Sequence, residues 1–452
     1  MQQIHKKKVL FGYLSSLVLL VALAGWIQGF DLSSGWKQAG WMNFSVGFVL
    51  LAAYLLAKVL KRARLPLISG YIFAGILAGP YVADFLTGEM VERLELINDL
   101  ALSFIALTAG ATLDLRSYRG RGHLVATNLF LNIVVVFAVV SLFVMLSGRW
   151  FGFTRQLSSM QLAALAILLG TIAVARSPSS AIAIIGECRA AGPFTDMVLG
   201  VTILMDVLTI ILFSLALSIS KVLLFDGAGA DFGVFGILSV EMLVSLAMGA
   251  GLGLVISFYI KRVGHDLALL LLTFGVAVTK ISLWLGHLME ARFDLALQLE
   301  PLLICISAGF TVRHFSQAGP KFLESLEKSA LPIYVLFFTL AGATLNFDAL
   351  GMCWMFAVCL VLVRTAGFLG AAWIGNAVPG NAAAHNSSAW MAYLTQAGVS
   401  IGLAQIAQRE APEIGVYLTT VVLAVIAVNQ LVGPIMFKGV LNRVGEAHVD
   451  PE

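Results

Sequence analysis

The sequence predicts an all-α, polytopic membrane protein, and three observations carry that prediction. Of its 452 residues, 60% are hydrophobic and only 12% are charged. Apolar runs of the length a bilayer demands, about 20 residues per helix, follow one another almost end to end. Basic residues, finally, collect in alternate connectors rather than evenly along the chain.

Taken in order, spans are expected near 9–30, 44–60, 66–86, 97–113, 125–147, 162–190, 197–219, 232–260, 267–285, 295–312, 331–346, 352–375, 388–408 and 416–437. With the first helix retained that makes 14. Alternating the connectors from a cytoplasmic N-terminus gives one side Lys6–Lys8, Lys58, Lys61, Arg62, Arg64, Arg116, Arg119, Arg121, Arg189, Lys261, Arg262, Arg313, Lys321, Lys328, Lys438 and Arg443. The other side receives Lys37, Arg93, Arg149, Arg155, Lys221, Arg292 and Arg409. That split, 18 to 7, marks the richer side as cytoplasmic and places both termini there. Lys6–Lys8, the apolar core and Ala22-Leu23-Ala24 before Gly25 also resemble a cleavable signal peptide. The length of the apolar stretch and the tryptophan after it favour a retained helix. Cleavage would leave 13 spans with the same orientation.

The expected division is an extra N-terminal helix and connector (1–43), a membrane domain (44–437) and a short cytoplasmic tail (438–452). No soluble domain is expected. The four cysteines imply no disulfide framework, and the seven histidines, all in connectors or tails, support no metal site. The run Gly249-Ala250-Gly251-Leu252-Gly253 superficially resembles a dinucleotide fingerprint, but it sits inside a lipid-embedded span, where small residues serve close helix packing. No nucleic acid, cofactor or enzymatic reaction is indicated.

Two spans are interrupted. In 162–190 the segment Arg176-Ser177-Pro178-Ser179-Ser180 places a proline, which removes a helix donor, among serines that offer oxygens. In 388–408 the segment Thr395-Gln396-Ala397-Gly398-Val399-Ser400 places a glycine among polar side chains. Broken backbone at membrane depth is tolerated only where protein encloses it. Each interrupted span is the next-to-last helix of its half. Such pairing points to an inverted-repeat transporter, with repeats near 66–219 and 295–437. The competing reading, in which a Pro kink and a Gly are ordinary packing devices, explains one such feature better than a matched pair.

One helix after the first break stands Asp206, with mostly apolar sequence for about two turns on either side. A carboxylate there costs about 2.5–3.5 kcal/mol on the insertion scale and usually marks an ion or proton pathway. Ionised it binds a small cation; protonated it does not. Competition of the two states for one site gives exchange. A plain salt bridge or interhelical hydrogen bond is the alternative. Arg364, the other deep charge, needs a partner, and Asp206 is the obvious one. Arg176 adjoins the break, where it is a candidate to meet helix-end carbonyls or simply to tune the site's potential. Lys280, near a span end, can snorkel. Glu187, at the cytoplasmic end of its span, is a candidate for an ion funnel.

The segment from Leu65 to Pro80, Leu-Pro-Leu-Ile-Ser-Gly-Tyr-Ile-Phe-Ala-Gly-Ile-Leu-Ala-Gly-Pro, resembles an early helix of the monovalent cation:proton antiporter superfamily, of the sodium/hydrogen exchanger type. Ala109–Leu115, the Ser177-Pro178 break, the Asp206 helix and Phe337–Gly342 agree in order, so the resemblance covers roughly 44–437. It implies a crossed pair of broken helices, a mobile core domain and a dimerising scaffold domain. It also implies multi-pass placement in a plasma membrane, here a bacterial inner membrane. Asp206 matches the ion-binding aspartate and Arg364 a basic position. Met205 departs from the family, which commonly has Asp or Asn there. A lone carboxylate suggests one cation for one proton.

The expected function is therefore secondary transport: a monovalent cation, Na⁺ or K⁺, exchanged for H⁺ by alternating access. Asp206 is the shared site, Ser177, Ser179, Thr202 and backbone carbonyls are supporting ligands, and Pro178, Gln396 and Gly398 are the helix breaks. A sodium-coupled organic anion symporter of the same fold, and a channel or scaffold without exchange, remain as alternatives.

Overall fold

The computed structural model describes residues 34–62, 65–113, 122–152, 154–224, 232–263, 301–316, 319–345, 347–377, 386–396 and 398–448, with a few isolated positions besides. The described residues are helical without a strand. In chain order the helices are α1 (Ser34–Arg62), α2 (Leu67–Ala78), α3 (Gly88–Arg93), α4 (Glu95–Thr112), α5 (Gly122–Ser147), α6 (Ser159–Val174), α7 (Pro178–Cys188) and α8 (Pro193–Leu224). They continue with α9 (Phe232–Arg262), α10 (Pro301–Phe315), α11 (Gly319–Ala343), α12 (Phe347–Ala377), a 3₁₀ segment (Asn386–Tyr393), α13 (Gly398–Glu410) and α14 (Pro412–Arg443). Among the described residues, seven helices, counting α6 and α7 as one, are long and apolar enough to cross a membrane, and four shorter apolar helices accompany them. The expected span 9–30 falls almost wholly outside the described residues, and so does the first half of 267–285; the described residues of its second half are helical.

Two boundaries differ from expectation for local reasons. The span expected over 66–86 is helical only to Ala78, because Gly79 is extended before Pro80, and a residue preceding proline is pushed out of the helical region. The last span runs past 437 to Arg443, so the first residues of the expected tail continue the helix.

By internal packing the chain divides into two units: Met1–Leu102 with Ser329–Leu345, and Ser103–Lys328 with Asn346–Glu452. In the first, α1 packs on α2, and Phe48, Val49, Ala78, Leu86, Leu94, Leu340 and Ala343 form an apolar cluster. In the second, α8 and α14 both pack against the broken pair α6 and α7, while α5 and α12 pack on one another. Phe130, Leu142, Phe258, Met352 and Leu362 leave α5, α9 and α12 with exposed apolar surface, as expected of lipid-facing helices. The runs α6–α7, α8 and α14 are mostly buried. The interior of this unit is thus built from α6–α7, which carries the first break, α8, which carries Asp206, and α14.

Helix crossings in each unit rest on glycine. In the first unit a Cβ on Gly75 would meet the Thr339 carbonyl, and one on Gly342 the Ile72 carbonyl. In the second, Gly110 meets the Ile306 carbonyl and Gly309 the Leu107 carbonyl in the same reciprocal manner. Gly110 and Gly342 lie in the same pentapeptide, Ala-Gly-Ala-Thr-Leu, at 109–113 and again at 341–345. The same pentapeptide thus places a glycine crossing in each unit. Gly249 and Gly253 of α9 likewise face backbone oxygens of α10, which accounts for the glycine run by packing. Lipid supplies no hydrophobic drive between helices, so close backbone approach must supply the attraction. Gly110→Ala should therefore cost about 1–3 kcal/mol through overpacking. Gly251→Ala, where nothing lies within 4 Å of the added Cβ, should leave the melting temperature in detergent unchanged; equal effects of the two changes would refute this account.

Candidate functional site

The two breaks meet. Helix α6 ends at Val174, and Ala175 and Ser177 are extended. Pro178 then takes the first position of α7, where a missing N–H costs nothing and its fixed φ favours a helix. It begins a helix as much as it ends one. Ser177 caps α7, its Oγ accepting from Ser180 N at 3.2 Å. The second break lies between the 3₁₀ segment and α13. Backbone joins backbone across the pair: Ser177 N donates to Thr395 O at 3.1 Å. Side chains add a second tie. Gln396 Nε2 donates to Ile172 O at 3.0 Å, in the last turn of α6, and to Ser400 Oγ at 2.9 Å. Its Oε1 accepts from Asn429 of α14 at 3.0 Å.

Breaking two helices inside a membrane strands carbonyl groups that have no intrahelical partner. Arg364 of α12 satisfies them. Its Nε donates to Ala173 O at 2.7 Å, Nη1 to Leu394 O at 3.0 Å, and Nη2 to Ala175 O at 2.9 Å and Tyr393 O at 3.4 Å. One rigid fork therefore ties the ends of both half-helices, a task suited to five fixed donors. This corrects the pairing expected from the sequence: the hydrogen bonds of Arg364 go to backbone carbonyls, not to the Asp206 carboxylate. The carbonyl role foreseen for Arg176 belongs to Arg364 instead. Arg176, 2% exposed, lies over the Tyr393 ring at 3.5 Å from its centroid and 5.0 Å from that of Phe368. Among the described residues, none of its three nitrogens has a hydrogen-bond acceptor.

Helix α8 packs against α6, α7, the 3₁₀ segment and α13, all four pieces of the broken spans. Asp206 sits on its buried face, 7% exposed, between Thr202 and Thr209, which are also buried. Leu204 points to the exposed side. Threonines in these helices usually return their hydroxyl to the carbonyl four residues back, as Thr108, Thr171, Thr209, Thr311, Thr365 and Thr420 do. Thr202 does not. Its Oγ1 is buried with no hydrogen-bond partner among the described residues, one turn from Asp206 on the same face. Met205 is fully buried and contributes an apolar wall.

A transmembrane sodium/hydrogen exchanger model matches residues 47–443. The chain belongs to the sodium/hydrogen exchanger family. Its fold also matches that of the sodium proton antiporter MjNhaP1 from Methanocaldococcus jannaschii. Against that protein's structure at pH 8 the TM-score is 0.62 at 15% identity, covering 90% of this chain and 95% of the other. Against its electron-microscopy map the TM-score is 0.66 at 15% identity, covering 90% and 98%. At that identity the likeness concerns the fold. No curated protein matches the chain.

In this exchanger the other sequence-predicted residues fall as follows. Ser177 Oγ lies 3.0 Å from Ser179 Oγ and 2.9 Å from Ser180 Oγ, so the serines form one cluster at the start of α7. Gly398 opens α13. Glu187 is paired rather than open: Lys438 Nζ lies 2.8 Å from its carboxylate, with both side chains largely buried. The pair ties α7 to α14. The exchanger's sequence also left three residues unremarked. Asn429 and Tyr393 are uncharged and lie among apolar neighbours, where polarity alone is a weak signal. Glu241, buried in α9, is the tenth residue of the expected span 232–260 and gives the same kind of signal as Asp206.

Proposed function

We propose that the protein exchanges a monovalent cation, Na⁺ or K⁺, for protons by alternating access, with Asp206 loaded in turn by cation and proton. Family membership supports cation/proton exchange. The observation that carries the residue assignment is the pairing, on one buried helix face, of a carboxylate with a threonine hydroxyl that has no hydrogen-bond partner among the described residues. Cation binding to the ionised carboxylate expels the proton, and protonation expels the cation. Thr202 Oγ1 supplies a neutral oxygen, and the Ser177–Ser179 cluster supplies others. The carbonyls of Ala173, Ala175, Tyr393 and Leu394 already serve Arg364, so a cation would compete with a guanidinium for them; coordination therefore relies on hydroxyls more than the sequence implied. The same proposal places the broken pair and α8 in the moving part of an inverted-repeat, elevator-type homodimer in a bacterial inner membrane.

The test is proton flux in proteoliposomes driven by a panel of monovalent cations across pH. Flux that ignores every cation would sink the proposal. Thr202→Val keeps the side-chain shape and removes a hydroxyl that bonds to no group among the described residues. Stability should then hold, while apparent cation affinity falls about tenfold, equivalent to about 1.4 kcal/mol. Unaltered affinity would remove Thr202 from the site.

One observation favours a second reading, sodium-coupled uptake of an organic anion: the buried Arg176 guanidinium, stacked on Tyr393, has no hydrogen-bond acceptor among the described residues, and a guanidinium suits a carboxylate. Substrate-dependent sodium uptake without proton movement would select it.

A further inference from the structure

The family-matched region ends at residue 443, and the next residues make a structure of their own. Val444 closes α14, and Gly445, at φ +76°, reverses the chain. Gly445 N donates to Asn442 O and Glu446 N to Leu441 O, both at 3.2 Å, the paired bonds of a Schellman turn. The turn carries Glu446 to the N-terminus of α8, the helix of Asp206. There Oε1 accepts from Phe194 N at 2.9 Å, and Oε2 accepts from Thr195 N and Thr195 Oγ1, each at 2.7 Å. The backbone docks as well: Ala191 N donates to Glu446 O at 3.1 Å, and His448 N to Cys188 O at 3.0 Å.

A helix normally takes its cap from the residue just before it. Here that residue is Gly192, at φ +152°, and a Cβ on it would run into the Glu446 side chain. The cap is supplied instead from 254 residues along the chain. A carboxylate in this place gains both charge-assisted hydrogen bonds and the positive end of the helix dipole. Lys438 and Glu187 form the second tie at the same end. Three helices are thereby joined: α7, half of the first broken span; α8, bearing Asp206; and α14, whose Asn429 holds Gln396 in the second break.

We propose that Glu446 is a positioning residue for exchange, a cap supplied by the C-terminal segment that sets the N-terminus of the Asp206 helix against α7 and α14. Thr195, Thr202 and Asp206 are buried on α8, and Asp206 stands about 16 Å along the helix from Thr195 at 1.5 Å per residue. A tilt of the freed end displaces the carboxylate and the Thr202 hydroxyl relative to the breaks, so release of the cap acts on ion affinity rather than on the amount of folded protein. The inference rests on the reading of Asp206 as the shared ion site.

The experiment uses the full chain in proteoliposomes with Glu446→Gln, Glu446→Asp and a stop after Gly445, normalised to folded transporter by size-exclusion chromatography. Sodium and potassium serve in turn as the driving ion. Glu446→Gln and the truncation should raise the KM of the driving cation about tenfold and shift the pH of half-maximal exchange, with the maximal rate per folded molecule within about twofold of wild type. Glu446→Asp, which keeps the charge, should recover most of the affinity. Unchanged KM in Glu446→Gln overturns the proposal, as does a loss confined to the yield of folded protein. A Glu446→Asp variant as impaired as Glu446→Gln also overturns it, since charge would then be irrelevant. Asp206→Asn run alongside separates the two readings. If it still exchanges, the Asp206 assignment has failed; if it is silent while the Glu446 variants behave as wild type, only the cap has.

Discussion

Asp206→Asn should reduce cation-driven proton flux to the level of empty vesicles while leaving the protein folded. The substitution preserves size and hydrogen-bonding capacity but removes the only group in the proposed site that can alternate between a cation and a proton. Its effect on stability should be small or favourable. A buried carboxylate carries a standing cost of about 2.5–3.5 kcal/mol on the insertion scale, and a neutral amide is cheaper to bury than a charge. A melting temperature at or above wild type, together with absent exchange, is the expected pair of results. Retained exchange would refute the assignment. A collapse in stability would instead show that the carboxylate holds helices together, the salt-bridge reading that its cost alone leaves open.

Arg364→Ala should have the opposite signature. Four carbonyls at the ends of two half-helices lose their donor at once, in a region where no water replaces it. Hydrogen bonds to charged groups contribute about 1.5–3 kcal/mol each, and the truncation leaves a void besides. Even allowing for non-additivity, a loss of about 4 kcal/mol or more is expected, read as a large drop in detergent melting temperature with exchange lost alongside it. Arg364→Lys keeps the charge but offers a single point of donation, so it should fall between the two. An Arg364→Ala variant as stable as wild type would refute the role assigned to the guanidinium.

These two residues show how far sequence reasoning reaches. Asp206 was legible because its signal is local: one carboxylate against an apolar background is visible whatever surrounds it. The breaks were legible for the same reason, since proline and glycine act on their own backbone. Arg364 was visible as a costly charge but was assigned the wrong kind of partner. Its acceptors are backbone carbonyls of Ala173, Ala175, Tyr393 and Leu394, and a carbonyl has no letter in the sequence. Gln396 was read as part of a break, whereas its amide bridges Ile172 and Asn429. Glu187 looked like an open charge because Lys438 lies far along the chain. The repeated Ala-Gly-Ala-Thr-Leu could have been found by comparing the two halves, and it marks the glycine crossings directly.

Membrane architecture, the position of the carboxylate and the two interruptions follow from composition and local backbone chemistry, which act over a few residues. How stranded carbonyls are satisfied, which arginine does it, and where Glu446 finds its helix follow from partners brought together only by folding. Hydrogen bonds and ion pairs are satisfied at about 3 Å, and the sequence carries no record of which distant groups come within that distance.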